Sequence, residues 1–497
     1  KQLSDMKVEL APTEREKVFT GNYYLYLNLT KPSEELYLLY HNFNREGKEA
    51  SPSRIIKMFT KMFPNLTVIN QDMLGVKDLL VNGAGSMHMA SEFIRVDDGD
   101  GDYMELLEYL MLHEPYRSSI KYFLNTYIRT LSEDELTAMA ASHLYEELKQ
   151  SSISRIEKYA SCAFSHFASY GLELDERKVY ELSALDMGNV FHKALELIGA
   201  RLESEGRTFG DLTEEERESY TEQYVTEATV DYNNSYFNDS SVNAYMRKRI
   251  TDIVKNTVWA LGEQLKAGAF VPWRLESAFS EHYDGVEITG KIDRIDIAQD
   301  GDATHVKIID YKSGKNDLSF DEIYSGVKLQ LMVYLKTVMD RWDGETHAAG
   351  VFYNHIDNPI VPIDSEGKYN DKLLLQELCP TGIVGYESIG LLDKDFEKSS
   401  AVIPVKTKKD GSVSFNGSVA RDEHMKLMAD YSVKKMVSMV KEIKDGHIEV
   451  NPYKDSCTFC PYKSICGFDG GYRTIEKLDK ENIWKAFGWE EKDNGVD

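Results

Sequence analysis

An aspartate and a lysine stand at the end of an apolar run in the second half of the chain. The stretch "THVKIIDYKSG" (304–314) alternates as a β-strand does and carries Asp310 and Lys312 two residues apart. Because side chains alternate across a strand, both charges point to one face, at the rim of a packed surface. An acid and a lysine held side by side suit phosphate chemistry, in which the acid holds a metal ion. They also suit a plain ion pair, which is common and contributes little.

A second aspartate lies on the preceding predicted strand. Asp293 ends the segment "GKID", and a tight turn at Asp300-Gly301 pairs the two strands, so the carboxylates of Asp293 and Asp310 can converge. Two ionised carboxylates repel each other, and a divalent cation relieves that repulsion. Magnesium suits a site with few carboxylates and a substrate phosphate, and Lys312 could orient the attacking water or stabilise charge. The sequence therefore predicts a magnesium site for phosphate chemistry.

Two predicted helices could add polar groups to this site. Gln330 and Tyr334 are four residues apart on the helix that follows the strands, and Gly188 and His192 are four apart on an earlier helix, so each pair shares a face. A histidine beside an apolar stripe is usually a core or surface residue. The spacing alone does not assign His192 to a metal.

Four of the five cysteines suggest a second metal centre. The segment "CTFCPYKSIC" places Cys457, Cys460 and Cys466 in a C-x2-C-x5-C pattern, and Cys162 is the candidate fourth ligand. Zinc and an iron–sulfur cluster fit this spacing equally well, and three free thiols are the remaining interpretation. A metal shared with Cys162 would close a long loop and act as a structural staple. Cys379 stands alone, and so few cysteines predict a reducing, cytoplasmic location.

Composition bounds the class of protein. The chain has 497 residues, 42% apolar and 28% charged, which predicts a soluble globular protein of two to four domains. No apolar run approaches the ~18 residues of a membrane span. The net charge of −25 argues against a protein that coats DNA, but not against a nuclease whose carboxylates a metal neutralises. Since the chain begins at Lys1 without methionine, we expect a piece of a longer protein.

The periodicity predicts two regions, residues 1–150 and 151–497. In the first, residues 22–43 are predicted to form a strand, a turn and a second strand. In the second, Ser154 and Glu157 form a predicted capping box, and further helices are expected at 185–202, 213–236 and 243–267. Three strands, a helix over 320–342, a strand at 348–356, a hairpin at 413–420 and a helix near 420–445 follow. This order predicts a mixed α/β sheet.

The strand that carries Asp293 changes its pattern at that residue. Its apolar residues occupy one parity up to Ile292, whereas Ile295 and Ile297 occupy the other. A β-bulge at positions 293–294 would re-aim the carboxylate, as bulges do beside active sites. A strand buried on both faces would give the same pattern.

Taken in order, "MGNVFHKALE", "GKIDRID", "IIDYKSG" and "KLQLMVYL" resemble the RecB-type branch of the PD-(D/E)xK nucleases. With the four cysteines, residues 150–470 are similar to the iron–sulfur members, namely the C-terminal part of AddB-type subunits of bacterial AddAB helicase–nucleases. The resemblance implies a restriction-endonuclease-like mixed sheet flanked by helices.

The resemblance also implies roles for individual residues. The implied Mg²⁺ ligands are His192, Asp293 and Asp310. Lys312 is the implied catalytic lysine, and Gln330 and Tyr334 are implied to support the site or to contact DNA. Glu276, in "LESAF", is implied to stand behind the ligands. The implied ligands of a [4Fe–4S] cluster are Cys162, Cys457, Cys460 and Cys466.

Residues 21–40 resemble the last helicase segment of such subunits, with Lys31 where an active helicase has arginine. The near-match to a Walker loop at 285–292 has Ile292 in place of the hydroxyl residue and alternates like a strand. We therefore expect a degenerate helicase-like region, followed by a Mg²⁺-dependent DNA exonuclease that acts with an AddA-type partner in recombinational repair. A stand-alone CRISPR-type nuclease, a non-catalytic DNA-binding scaffold and a zinc-ribbon module are the alternatives.

Overall fold

In the computed structural model, the chain divides into two compact units, Lys1–Thr130 and Leu131–Asp497. The structure describes residues 12–42, 49–70, 74, 83–93, 101–128, 135–145, 150–176, 184–230, 237, 241–283, 285–314, 316–362, 370–415, 417–468, 470–479 and 483–488. Among the described helices, none combines the length and the apolar character that a membrane crossing requires.

The first unit is helical where it is described. Its helices are α1 (Glu14–Thr30), α2 (Arg54–Met62), α3 (Gly83–Phe93), α4 (Gly101–Leu112) and α5 (Tyr116–Ile128). A small core joins α3, α4 and α5, and its buried members are Met89, Ala90, Leu106, Leu110 and Ile120.

The predicted strand, turn and strand over residues 22–43 are wrong, since α1 occupies residues up to Thr30. Thr13 and Glu16 form a capping box that starts this helix, with the Thr13 N–H 2.7 Å from the Glu16 carboxylate. The alternating tyrosines and leucines mimic a strand, but a strand needs a paired neighbour, whereas a capped helix satisfies its own backbone. The helicase-like character of this unit stays a prediction.

The second unit contains twelve described helices around one sheet. The helices are α6 (Ala138–Tyr145), α7 (Ile153–Ser161), α8 (Ala163–His166), α9 (Ala184–Ser204), α10 (Glu214–Val230), α11 (Ser241–Ala267), α12 (Phe320–Ser325), α13 (Gln330–Asp340), α14 (Asp371–Glu377), α15 (Ile389–Leu392), α16 (Asp422–Asp445) and α17 (Ile483–Ala486). The strands are β1 (Gln150–Ser152), β2 (Val271–Tyr283), β3 (Val286–Asp300), β4 (Ala303–Lys312), β5 (Thr346–His355), β6 (Thr381–Gly385) and β7 (Val419–Ala420).

The strands form one mixed sheet in the order β1-β3-β4-β5-β6-β7, with β2 also paired to β3. The meander β2–β3–β4 is antiparallel, whereas β1 pairs with β3, and β4 with β5, in parallel. Gly285 and Gly301 adopt positive φ angles of 80° and 60° at the two turns of the meander, a backbone conformation that glycine adopts at little cost. The predicted mixed α/β sheet flanked by helices is confirmed.

Two hydrophobic cores cover the sheet. The core on one face packs residues of α7, α12, α13 and α16 against Ile292, Ile295, Val306 and Ile308. The core on the other face includes residues of α9, α10 and α11. Asp310 and Lys312 share the strand parity of Val306 and Ile308, as the alternation predicted.

The strand β3 is buried on both faces at residues 292–296, which is the second of the two alternatives for its pattern. The irregularity in register lies in the neighbouring strand, between Pro272 and Arg274 of β2. Behind the sheet, the buried Asp296 carboxylate accepts from Arg294 Nε at 2.6 Å and from Lys307 Nζ at 2.8 Å. This ion triad explains how polar residues occupy the second face.

Three predicted elements differ from the structure. The helix expected over 320–342 is two helices, because Gly326 ends α12 with a φ of 83°. The capping box of Ser154 and Glu157 is wrong, since Ser152 caps α7 by accepting the Arg155 N–H at 3.3 Å. The expected hairpin at 413–420 is absent among its described residues, where β7 pairs with β6 instead.

Candidate functional site

Three side chains from three elements meet beside the β3–β4 pair. His192 of α9, Glu276 of β2 and Asp293 of β3 each offer a ligand atom within 4.8 Å of the others. The Nδ1 atom of His192 lies 3.5 Å from the Asp293 carboxylate. The Tyr311 backbone N–H donates to that same Asp293 oxygen at 2.8 Å, which fixes the carboxylate across the two strands. One imidazole and two carboxylates at this spacing can hold a divalent cation.

Glu276 is itself one of the potential ligands, whereas the resemblance implied a position behind the ligands. Its backbone has a φ of 49°, an unusual value for a residue with a side chain, and its carboxylate joins His192 and Asp293. The Lys291 ammonium lies 2.6 Å from the Glu276 carboxylate. The sequence signal was only its occurrence in "LESAF", since no periodicity reveals a left-handed residue inside a strand.

Asp310 and Lys312 form a close pair next to this trio. The Lys312 Nζ lies 2.5 Å from the Asp310 carboxylate and 5.7 Å from the centre of the Tyr353 ring. Asp310 is 3% exposed, whereas Lys312 is about one-third exposed and reaches solvent. Asp310 is not part of the 4.8 Å trio. Its charge nevertheless acts on both His192 and Asp293.

Electrostatics favour an added cation at this place. Burial and the Asp310 carboxylate raise the pKa of Asp293 to about 8, and burial raises the pKa of Asp310 against the opposing effect of Lys312. Burial lowers the pKa of His192, which keeps its imidazole neutral and able to bind a metal. Ionised Asp293 would thus add negative charge that the described lysines, paired with Glu276 and Asp310, do not compensate, and a divalent cation in place of its proton fits this donor set.

Gln330 and Tyr334 lie on one face of α13, as predicted. The Gln330 side-chain amide donates to the Tyr334 hydroxyl at 2.8 Å. Tyr334 is buried and meets the edge of the Phe279 ring, with 5.5 Å between ring centres. Its position is that of a supporting residue, and Gln330 is the more accessible of the two.

Glu157 does not form the capping box with Ser154 that its spacing predicts, and it contacts a distant helix instead. Its carboxylate accepts the backbone N–H groups of Leu329, at 2.6 Å, and Gln330, at 2.8 Å, at the start of α13. Burial raises the pKa of Glu157 to about 7, with the charges of Lys312 and Asp310 also acting on it. A capping pattern in the sequence suggested a local role, whereas the contact spans 172 and 173 residues.

The four predicted cysteine ligands lie near enough to one another to interact electrostatically. Cys162 follows α7 directly, and the Cys460 thiolate of the loop acts on the pKa of its thiol. Burial raises the pKa of the Cys457 thiol, and the neighbouring thiolates of Cys460, Cys162 and Cys466 raise it further. No three of these four described Sγ atoms lie within 4.8 Å of one another. Burial raises the pKa of Cys379 to about 12, in line with a structural thiol.

Arg473 fastens the cysteine loop to α7. Its guanidinium donates to the Ala160 carbonyl at 2.6 Å and to the Asn451 carbonyl at 2.5 Å, and it lies over the Tyr453 ring. Tyr453 and Arg473 also form a parallel β-bridge at the base of the loop. These contacts join the two ends of the loop to the end of α7 without any metal.

Comparison with known proteins gives consistent matches. Residues 150–467 match the profile of the PD-(D/E)XK nuclease superfamily. The chain is 33% identical over 530 aligned residues to a protein of Lachnoclostridium phytofermentans that is named as a subunit of an ATP-dependent helicase/deoxyribonuclease, covering 99% of this chain and 46% of that protein. Proteins of the same name from Alkaliphilus oremlandii and a Thermoanaerobacter species are 31% and 28% identical, over 92% and 99% of this chain and 43% and 46% of theirs. The chain thus spans about half the length of these relatives.

Proposed function

Because this chain belongs to the PD-(D/E)XK nuclease superfamily, we propose that its second unit is a metal-dependent deoxyribonuclease. The observation that carries the proposal is the convergence of His192, Glu276 and Asp293 beside the Asp310–Lys312 pair. A site of this composition suits hydrolysis of a phosphodiester.

The cation would be held by His192, Glu276 and Asp293, with Asp310 at its border. Bound Mg²⁺ would supply a Lewis acid that polarises the phosphate and acidifies water. The Tyr311 N–H fixes Asp293, and Asp310 fixes the Lys312 ammonium at a place that is about one-third exposed. From there, Lys312 orients the attacking water or stabilises charge on the phosphate, and Gln330 with Tyr334 supports the wall of the site.

The cysteines would hold a [4Fe–4S] cluster. Three thiols in a loop that Arg473 fastens to α7, within electrostatic reach of Cys162 at the end of that helix, support a metal–sulfur centre. A zinc tetrathiolate with 2.3 Å bonds would bring all four sulfur atoms to about 3.8 Å from one another, whereas no three of these described Sγ atoms lie within 4.8 Å of one another. Cys460→Ser should lose iron and the brown colour of the protein, whereas Cys379→Ser should keep both. A colourless parent protein rich in zinc would contradict the cluster.

The whole protein would work in a larger assembly. The relatives are named as subunits of an ATP-dependent helicase/deoxyribonuclease. By extension, this chain would degrade one DNA strand as an exonuclease, while an AddA-type helicase subunit unwinds the duplex, in recombinational repair in the cytoplasm. The first unit would be the end of a degenerate helicase-like domain.

Digestion of end-labelled DNA tests the activity. The parent chain should degrade labelled single-stranded DNA with Mg²⁺ and not with EDTA. Asp293→Ala should abolish cleavage while the fold is kept, and Asp300→Ala, an exposed aspartate at the end of the same strand, should cleave as the parent does. Full activity of Asp293→Ala would refute the site. DNA binding without cleavage by the parent would favour the scaffold alternative.

A further inference from the structure

The helix α13 begins without a cap of its own. Its N-cap residue, Leu329, has no side chain that can accept a hydrogen bond, and the first N–H groups of a helix have no partner within the helix. Groups of this kind need an acceptor when they are buried, and a negative charge at a helix N-terminus is favourable. The structure supplies both from a distant part of the chain.

Glu157 is that acceptor. Its carboxylate receives the N–H of Leu329 at 2.6 Å and the N–H of Gln330 at 2.8 Å. Gln330 in turn donates through its side chain to Tyr334. The charged residues of the site act on both ends of this chain of contacts: Lys312 and Asp310 act on Glu157, and Asp310 and Asp293 act on the Tyr334 hydroxyl that accepts from Gln330.

We propose that Glu157 is a positioning residue of the nuclease site: as a cap supplied by α7, its carboxylate fixes the start of α13 and so sets the place of the Gln330 side chain. This inference rests on the proposed nuclease function. Glu157 does not touch the substrate or the cation; it acts through Gln330.

The position of Glu157 on α7 gives this cap a second consequence. The same helix ends at Cys162, and Arg473 from the far side of the cysteine loop holds the Ala160 carbonyl. One short helix therefore meets the cysteine loop at its end and the start of α13 at its middle. A displacement of α7 would move Gln330.

Substitution at Glu157 separates this role from simple stability. Glu157→Gln keeps an oxygen that can accept both N–H groups, whereas Glu157→Asp withdraws the carboxylate by one methylene and Glu157→Ala removes it. On single-stranded DNA with Mg²⁺, we expect about a tenfold or larger loss of kcat for the Asp and Ala variants, with little change in KM, and near-parent kcat for the Gln variant. Without metal, amide hydrogen exchange at residues 329 and 330 should be faster in the Asp and Ala variants only.

A matched control is Glu216, which caps α10 by accepting the Thr213 N–H at 3.0 Å and is not among the residues of the candidate site. Glu216→Ala should lower stability and leave kcat unchanged. Faster exchange at 329 and 330 with parent kcat in Glu157→Asp would overturn the positioning role and leave the nuclease function standing. An inactive parent would instead refute the proposed function, and unchanged exchange in every variant would remove the cap itself.

Discussion

Asp293 is a carboxylate held among other negative charges. The Tyr311 N–H fixes it at 2.8 Å, and Asp310 and Glu276 both act to keep it protonated. Its pKa of about 8, against an ordinary 3.8, means that the folded chain keeps a proton that the unfolded chain has lost at neutral pH. At the scale of single residues, the metal-free site therefore holds a proton on Asp293, which a bound cation would displace.

This shift gives the metal-free protein a defined pH dependence. Between about pH 4 and pH 8 only the folded state holds the Asp293 proton, so the free energy of unfolding should fall as the pH rises, by at most about 1.4 kcal/mol per unit. Asp293→Asn removes this titration and keeps the acceptor for the Tyr311 N–H. In EDTA, we expect the Asn variant to be more stable than the parent at pH 8 by about 2 kcal/mol, and equally stable near pH 4, in urea unfolding.

The control for Asp293→Asn is the same substitution at an exposed aspartate. Asp300→Asn, at the exposed end of the same strand, should follow the parent at every pH. If the free energies of unfolding of Asp293→Asn and the parent differ by the same amount at every pH from 5 to 8.5, the Asp293 carboxyl does not have the raised pKa.

Glu276 allows a direct test of the ligand set. Its carboxylate lies within 4.8 Å of the ligand atoms of His192 and Asp293, so Glu276→Gln should weaken binding of Mg²⁺ or Mn²⁺ by about tenfold or more in calorimetric titration. Glu287→Gln, a change on the neighbouring strand β3, is the matched control. Equal metal affinity in Glu276→Gln and the parent would place Glu276 outside the ligand set.

The sequence could identify most of the residues of the site, but not all. Asp310, Lys312 and Asp293 follow from strand alternation and one tight turn, which are local rules. Glu276 depends on a left-handed backbone angle, and Glu157 on a contact between distant segments. Neither is encoded in a local period, so neither could be placed by pattern.

At the scale of elements, protein contacts alone hold the cysteine loop closed at its base. Arg473 donates to the carbonyls of Ala160 and Asn451, and the bridge between Tyr453 and Arg473 closes the base of the cysteine loop. Charged donors to buried carbonyls are among the stronger hydrogen bonds in proteins. The loop thus presents its thiols to Cys162 in advance.

Removal of this contact should loosen the cysteine centre. We expect Arg473→Ala to lower the free energy of unfolding by about 1.5–3 kcal/mol and, on the proposed iron–sulfur cluster, to lower the iron bound per chain after purification. Lys477→Ala, which removes an exposed pair with Asp321 in the same tail, should change neither by much. Full iron content in Arg473→Ala would show that the thiols need no preorganised loop.

Helices and strands with a regular spacing of apolar residues could be predicted from the sequence. The points at which a helix or strand stops were harder to predict. The three strands of the meander and the helices α9 and α11 follow their alternation and helical spacing closely. The single helix expected over 320–342 fails because Gly326 adopts a left-handed angle. The strands expected in residues 22–43 fail because a local capping box outweighs alternation that has no paired strand.

At the scale of the whole molecule, the second unit contains the candidate site and the two hydrophobic cores that cover the sheet. It begins before the boundary at residue 150 that periodicity suggested, since Ala141 and Tyr145 of α6 are buried and the Leu136 N–H donates to the Gly446 carbonyl at 2.8 Å. The sequence of α6 has no regular apolar spacing that would predict its packing against the second unit. Only the packed structure assigns them.

Two fragments test the boundary. We expect residues 131–497 to fold with a cooperative thermal transition and to keep Mg²⁺-dependent cleavage. Residues 151–497 lose α6 and the first residue of β1, and they should melt several degrees lower, because buried Tyr145 leaves a cavity in the core. Equal melting temperatures would place α6 outside the stable unit.

The place of Cys162 at the end of α7 has a consequence for synthesis. A ribosome that has made this thiol must add the chain up to Cys457 before the first of its partners exists, which at about 10 residues per second takes about half a minute. The acids on β3 and β4 emerge well before that moment. The proposed cluster could then be completed only after Cys466 has been made, so the iron content of the protein would count the chains translated at least to that residue.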